Sequence, residues 1–559
     1  MKLSSSNRMD ILEKMTDEPL DLFVIGGGIT GAGIALDATV RGLNVGLADM
    51  QDFAGGTSSR STKLVHGGLR YLKQLEVKVV SEVGKERAIV YENAPHVTTP
   101  EKMLLPVYKR GTFGRFSTSI GLKIYDFLAG VRKDERRVML NRAETLEKEP
   151  LLKREGLKGS GYYVEYRTDD ARLTIEVIKE AAARGALPVN YAKVEDLVYD
   201  QNKKIIGVRL VDRLTKKEYR VFARKIVNAA GPWVDTIREM DHSNKGKHLH
   251  LTKGVHIVID GTRFPAKQAI YFDTPNGDHR MIFVIPRDGK VYAGTTDTTY
   301  AHWPIDPKPT AADRDYILEA INGMFPSVHL TADDVESSWA GVRPLIQEEG
   351  KSPSEISRKD EIFISASGLI SIAGGKLTGY RKMAERVVDT VTKQIHEETG
   401  RSFPACQTAH IALSGGHFGG SAHFMDYVRK QVSFGMRAGL NEKEAKKLAE
   451  KYGSNTETLF DYVRKNGETA QKYQLPQALL ATVQYALEEE MVVTSVDYFT
   501  RRSGMTLFAI DEARRWAKPV IQFMADFLNW PAEQRKRDAA DLLQSISEAS
   551  DYDTHSTDL

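Results

Sequence analysis

A single cysteine, Cys406, stands among 559 residues, and that scarcity excludes two things at once. No intrachain disulfide can form, and no internal dithiol relay can carry electrons away from a cofactor, so any redox group here must exchange electrons with a diffusible partner. Long apolar runs are also missing. No window of about 18 apolar residues occurs, so no transmembrane helix is expected, and the opening MKLSSSNRMDILEKMTDEP lacks the apolar centre of a secretory signal. An excess of one charge is absent too. The 78 Lys and Arg balance 75 Asp and Glu to leave +3, which gives no reason to expect a nucleic-acid partner, although local basic patches remain available. These absences describe a cytoplasmic protein, at most peripheral at the inner face of the cell membrane.

What is present is a chain too long for one core, so two or three domains are expected. Its most informative stretch is DLFVIGGGITGAGIALDATVRGLNVGLAD, from Asp21 to Asp49. An apolar strand meets Gly26, Gly28 and Gly31, a helical pattern follows from Ile29 to Arg41, and a second strand from Asn44 ends at an acid, Asp49. Gly26 permits the tight turn, Gly28 lets backbone approach a pyrophosphate, and Gly31 lets the helix close on the strand. The helix N-terminus then presents N–H donors and its positive dipole end to two negative charges. Asp49 is placed to accept from adenosine ribose hydroxyls. Dinucleotide binding is the reading, against a merely structural βαβ turn.

Further along, a helix is expected to end near Asn93, another to run from Leu173 to Arg184, and strands to fill Ala192 to Tyr199, Lys204 to Leu210 and Tyr219 to Asn228. The last of these stops at Ala230-Gly231, a small-residue turn where a ligand can approach backbone. Alternating strands dominate from His250 to about Thr296. LISIAGGKLTGYRKMAERVVDTV repeats the opening form: an apolar strand, Gly374-Gly375, then a helix starting near Lys376, Leu377 and Thr378. From about Phe403 only helical patterns remain. The expected division is a discontinuous cofactor-binding domain (19–95, 165–250 and 340–395) and a substrate-binding cap (96–164 and 251–339). A helical C-terminal domain (403–548) and a disordered tail (549–559) complete it.

The segment DFAGGTSSRSTKLVHGGLRYL, with IVNAAGPWVD, WAGVRPL, Ser357-Arg358 and SIAGGKLTGYRKMAE, resembles the FAD-dependent glycerol-3-phosphate dehydrogenases. The resemblance covers about residues 19 to 395 strongly. It implies an α/β fold with a Rossmann-like FAD domain of the glutathione-reductase and D-amino-acid-oxidase type, an antiparallel-sheet substrate domain and an all-α C-terminal domain. It also implies noncovalent FAD, oxidation of glycerol 3-phosphate to dihydroxyacetone phosphate and electron delivery to a membrane quinone. An oxidase that uses O2 and releases H2O2, and a flavin-binding sensor without turnover, are the competing readings. The oligomeric state is left open, a homodimer included.

Glycine-flanked or strand-end cations suit a dianionic substrate, because the planar fork of Arg can grip two phosphate oxygens and Lys adds a point charge. Together with the family's pattern this nominates His66, Arg70, Tyr71, Arg343, Arg358 and Lys376 as pocket residues. Loss of the C2 hydroxyl proton, while hydride leaves for flavin N5, calls for a neutral histidine base. His256, flanked by Val255 and Ile257 that should face the opposite way, is preferred as that base. Arg343 would stabilise the alkoxide and His66 would orient the substrate. Thr57, Ser58, Ser59, Ser61, Thr62 and Lys63 offer hydroxyls and N–H groups along the isoalloxazine. The helix near Lys376 would aim its dipole at flavin N1 and the C2 carbonyl. Arg110 to Arg132 interleaves cations with Phe113, Phe116, Ile120, Ile124, Phe127, Leu128 and Val131, which reads either as a core helix or as one lying on anionic lipid.

Overall fold

A computed structural model describes residues 2–66, 77–109, 136–275, 277–278, 280–303, 305–348 and 360–552. The segment 110–132, together with Arg70, Tyr71 and Arg358, lies outside them.

The strand Leu20–Ile25 is buried along its whole length, as a strand covered on both faces must be. It pairs in parallel with Val45–Ala48 on one side and with Glu218–Asn228 on the other. Leu187–Val189 and Ile370–Ala373 extend the sheet in parallel, Glu361–Ile364 closes one edge antiparallel, and the hairpin Ala192–Tyr199/Ile205–Asp212 completes eight strands. The helix Ile29–Val40 packs between the helices Asp170–Ala183 and Tyr380–Thr399. The helix Asp170–Ala183 starts three residues earlier than the apolar periodicity indicates, because the Asp169 side chain accepts from Arg172 N–H and caps it.

The second sheet has ten strands among the described residues, and its longest pairing joins Lys247–Asp260 to Val335–Glu348 antiparallel. One pair, Ala269–Asp273 with Thr98–Tyr108, is parallel. Alternation along Lys247–Asp260 divides the side chains cleanly. Val255, Ile257 and Ile259 enter an apolar cluster with the helix Ala311–Met324, while Val258 joins a different cluster with Trp339 and Tyr292. The strands cross the expected divisions: Leu157–Thr168 runs past 165, Lys247–Asp260 begins before 251, and Val335–Glu348 continues beyond 340. Sheet membership is decided by pairing partners, which local pattern does not reveal.

Beyond residue 403 the described elements are helical, from Phe424–Arg437 to Ala532–Ser550. Of the expected tail 549–559, residues 553–559 lie outside the described residues. Ser338 Oγ donates to Ala549 O, and Tyr552 packs against the second sheet's core with the Arg314 guanidinium over its ring, so order persists through residue 552. No helix among the described residues is long and apolar enough to cross a membrane.

Candidate active site

A cavity of about 700 Å³ opens at the carboxyl ends of the parallel strands, a volume within the usual range for ligand sites. Gly26, Gly28 and Asp49 line it, as do Thr57, Ser58 and Ser61. Ala230 and Gly231 form another part of the wall, and Gly374, Gly375, Lys376 and Leu377 a further one. Gly31 does not reach the cavity; its place is in the packing beneath. A Cβ there would sit 1.9 Å from Gly26 O, while Gly26 itself has φ +109°, so the turn and the helix can meet only as a glycine pair.

Asp49 is tied from two sides. Its Oδ2 accepts from Gly27 N at 2.7 Å and its Oδ1 from Gln51 N at 2.8 Å, leaving lone pairs on both oxygens for further donors. Burial pushes its carboxyl up to about 6, against the lowering effect of those two N–H bonds. Ser58 Oγ accepts from Ile29 N at 2.9 Å, capping the first turn of the glycine-led helix. On the far side the cavity reaches the hairpin residues Lys193, Val194 and Arg213, and at its mouth Trp303, 67% exposed.

The remaining residues of the serine-rich loop do different work. Lys63 is buried and paired with Asp170 at 2.6 Å, and its Nζ also donates to Ser59 O. Ser61 Oγ donates to the same Asp170, at 2.7 Å. Ser59, Thr62, Lys63 and Thr378 are not among the residues that line this cavity. Thr378 Oγ1 accepts from His66 N and donates to His66 O, fixing that residue's backbone. Thr57 Oγ1 donates to Val342 O and Trp339 Nε1 to Ser61 O, which locks this loop to the strand carrying Arg343.

His256 and Arg343 meet on one face of the second sheet. Register pairs His256 with Trp339, Gly254 with Gly341 and Thr252 with Arg343. The Arg343 guanidinium lies over Gly254, donating to Thr295 Oγ1 at 3.0 Å and facing Asp297 at 3.3 Å. The His256 ring stacks on Trp339 with centroids 4.7 Å apart and 10° between planes, and its Nε2 lies 3.0 Å from Thr62 Oγ1. Nδ1 has no hydrogen-bond partner among the described residues. Burial first, then the nearby Arg343 and Lys63 cations, hold His256 well below the usual histidine range. His66, edge-on to Phe283 at 5.8 Å, is lowered to about 4 by burial and by Lys376. Both shifts favour the neutral ring. Neither histidine nor Arg343 lines the cavity, yet Ser61, Pro344 and Lys376 do, and these adjoin Thr62, Arg343 and the His66 environment respectively.

Sequence reading missed Trp339, Thr62 as the His256 partner, Thr295 and Asp297 as Arg343 partners, and the two glycines that make room for these groups. A Cβ at Gly254 would lie 2.3 Å from Arg343 Nη2, and one at Gly294 would lie 2.3 Å from His256 Cδ2. A glycine inside an otherwise strong strand is the one available signal, since it marks a close approach.

The family model described as FAD dependent oxidoreductase matches residues 21–381. The one described as C-terminal domain of alpha-glycerophosphate oxidase matches residues 406–535. The aerobic glycerol-3-phosphate dehydrogenase of Bacillus subtilis (strain 168) is 59% identical over 98% of both chains. That of Staphylococcus aureus (strain USA300) is 55% identical, again over 98% of both. The crystal structure of the glycerol-3-phosphate dehydrogenase from Bacillus halodurans, complexed with FAD, superimposes with a TM-score of 0.86 at 51% identity, covering 98% of this chain and 99% of that one. The L-alpha-glycerophosphate oxidase of Mycoplasma pneumoniae, with FAD bound, shares the fold at TM-score 0.56 and 16% identity, over 70% of this chain and 97% of that one.

Proposed function

The chain belongs to the FAD-dependent glycerol-3-phosphate dehydrogenases, and we propose that its oxidation of sn-glycerol 3-phosphate to dihydroxyacetone phosphate is carried by His256 as base and Arg343 as stabiliser of the alkoxide. FAD is the cofactor, and it supplies the acceptor for the hydride leaving C2. The residues present suit it. Gly26 and Gly28 bring backbone to the cavity wall for a pyrophosphate, and Asp49 keeps lone pairs for ribose hydroxyls. Lys376 and Leu377 stand on the cavity wall where a helix begins.

The observation that carries the assignment of roles is the shared face of His256 and Arg343. With Nε2–H donating to Thr62 Oγ1, the buried and unpartnered Nδ1 carries the lone pair to which a hydroxyl proton can move. Arg343 lowers the basicity of His256 in the empty pocket. A phosphate dianion beside that guanidinium offsets the lowering, so the base strengthens when the substrate is in place. Lys376 contributes a further cation. Arg70, Tyr71 and Arg358 complete the substrate shell on motif alone, and His66 orients the substrate. Thr57, Ser58, Ser61, Ala230, Gly231, Gly374, Gly375 and Leu377 are assigned to the cofactor. Ser59, Thr62, Lys63 and Thr378 support it without lining the cavity. Electrons then pass to a quinone, consistent with a single cysteine and no dithiol relay.

Anaerobic mixing with glycerol 3-phosphate should bleach the flavin band, and glycerol should leave it unchanged. Reoxidation by a soluble quinone analogue should outpace reoxidation by O2. Peroxide formed at the quinone-dependent rate would make the protein an oxidase instead.

Asp49 gives FAD binding a pH dependence of defined sign. In the apoprotein the carboxyl protonates near 6, above its unfolded value, so it favours the apo fold below about 4 and loses that contribution as pH rises through 6. Ribose hydroxyls bind the ionised form. FAD affinity should therefore fall as pH drops below 6, by about tenfold per unit at most. Equilibrium titration of apoprotein between pH 5 and 8 should show this slope in wild type and a flat profile in Asp49→Asn.

A further inference from the structure

The helical C-terminal domain grips the loop that holds Asp49. Asp52, three residues after Asp49, is fully buried and accepts from four donors. Arg501 Nε reaches its Oδ2 at 2.6 Å, and Arg502 takes both oxygens with its two terminal nitrogens, at 2.8 and 3.0 Å. Asn190 Nδ2 adds a bond to Oδ1 at 3.1 Å. The two consecutive arginines end a π-helical turn, Asp497–Arg502, a rare geometry that is frequent at functional sites. Asp497 secures that turn by pairing with Arg501 at 2.7 Å and accepting from Tyr191 OH at 2.7 Å.

From Asp52 the connection to the ribose site is short. Gln51 N donates to Asp49 Oδ1, Tyr191 N donates to Gln51 O, and Ala54 N donates to Gly27 O, whose own N–H donates to Asp49 Oδ2. The segment from Asp49 to Ala54 is thus fixed at one end by the glycine turn and in its middle by cations from a domain about 450 residues away in sequence. The Arg501 charge also acts on Asp49, favouring its ionised form, while Asp52 opposes it. The cofactor reaction alone gives no reason for a separate helical domain to spend two buried arginines here.

We propose that the C-terminal helical domain is part of the cofactor site, with Arg501 and Arg502 as positioning residues that hold the Asp49–Asp52 loop in the conformation that grips the adenosine ribose. The inference rests on the FAD reading of the cavity and not on the identity of the substrate. Because coupling between sites is reciprocal, FAD binding tightens the docking of the helical domain in return.

Arg502→Lys keeps the charge but loses the fork, and Arg501→Met loses the charge. Each should raise the Kd for FAD by about tenfold or more, with activity recovered in excess FAD and the KM for glycerol 3-phosphate held. His417→Ala is the control, since His417 joins the helical domain to Glu180 of the cofactor domain, at 3.0 Å, away from the Asp49 loop and from the Glu490 carboxylate that Arg502 itself contacts. It should leave FAD affinity within about twofold of wild type. Unchanged FAD affinity in both arginine variants, or an equal loss in His417→Ala, would overturn the proposal. Should the variants fail to fold, hydrogen exchange on the wild-type chain decides it: adding FAD to apoprotein should slow exchange across Asp497–Arg502, and no change there counts against the coupling. A wild-type apoprotein that does not take up FAD at all would fail the cofactor reading instead, a separate result.

Discussion

His256→Asn is expected to lower kcat by about 10²- to 10⁴-fold, the range that a positioned general base supplies, while FAD content and KM for glycerol 3-phosphate change little. Asn overlays only the Nδ1 half of the ring, so it removes the proton acceptor together with the Nε2 contact to Thr62, and unchanged FAD content separates the loss of the base from a loss of structure. His66→Asn should behave differently. Its role is orientation, so KM should rise more than kcat falls. The pH profile adds a separate reading. Wild-type kcat should fall on the acid side as His256 protonates in the substrate complex, and that limb should vanish in His256→Asn. If the acid limb and kcat instead collapse in His66→Asn alone, the base has been assigned to the wrong ring.

Much of this site was legible because its determinants are local. Gly26, Gly28, Gly31 and Asp49 keep fixed spacings within one βαβ unit, and no distant residue can alter what those spacings require. The orientation of His256 was legible for the same reason. Alternation along a strand sends Val255 and Ile257 to one face and His256 to the other, and the core clusters follow that division. Other features depend on partners far away in sequence. Trp339 under the His256 ring, Thr62 on its Nε2 and Asp52 between two arginines are contacts across the sheet or between domains, and no spacing rule encodes them. The serine-rich loop shows the same limit from the other direction. Its composition marks a ligand loop, but Asp170 draws the Lys63 ammonium into a buried pair while Ser61, bonded to the same carboxylate, still lines the cavity, and only the fold reveals that difference.

Arg343→Lys should lower kcat and kcat/KM together, by about 10²- to 10³-fold, as when a donor aimed at developing oxyanion charge is removed. Lysine keeps a positive charge but cannot span Thr295, Asp297 and the substrate with one planar fork. A second substitution reaches the same group without touching it. Gly254→Ala would place a Cβ 2.3 Å from Arg343 Nη2 and 2.5 Å from Thr295 Oγ1, both ends of side chains and not backbone. The strand can therefore accept the methyl group by displacing the guanidinium, so folding and FAD content should survive while catalysis falls. Since the two changes act through one interaction, their effects should not add: the double variant Gly254→Ala/Arg343→Lys should be little worse than the poorer single variant. Steady-state kinetics on the three proteins, with FAD occupancy measured on each, checks this. Full additivity would mean that Gly254 guards something other than the position of Arg343, and a normal kcat in Arg343→Lys would remove this residue from the chemical step.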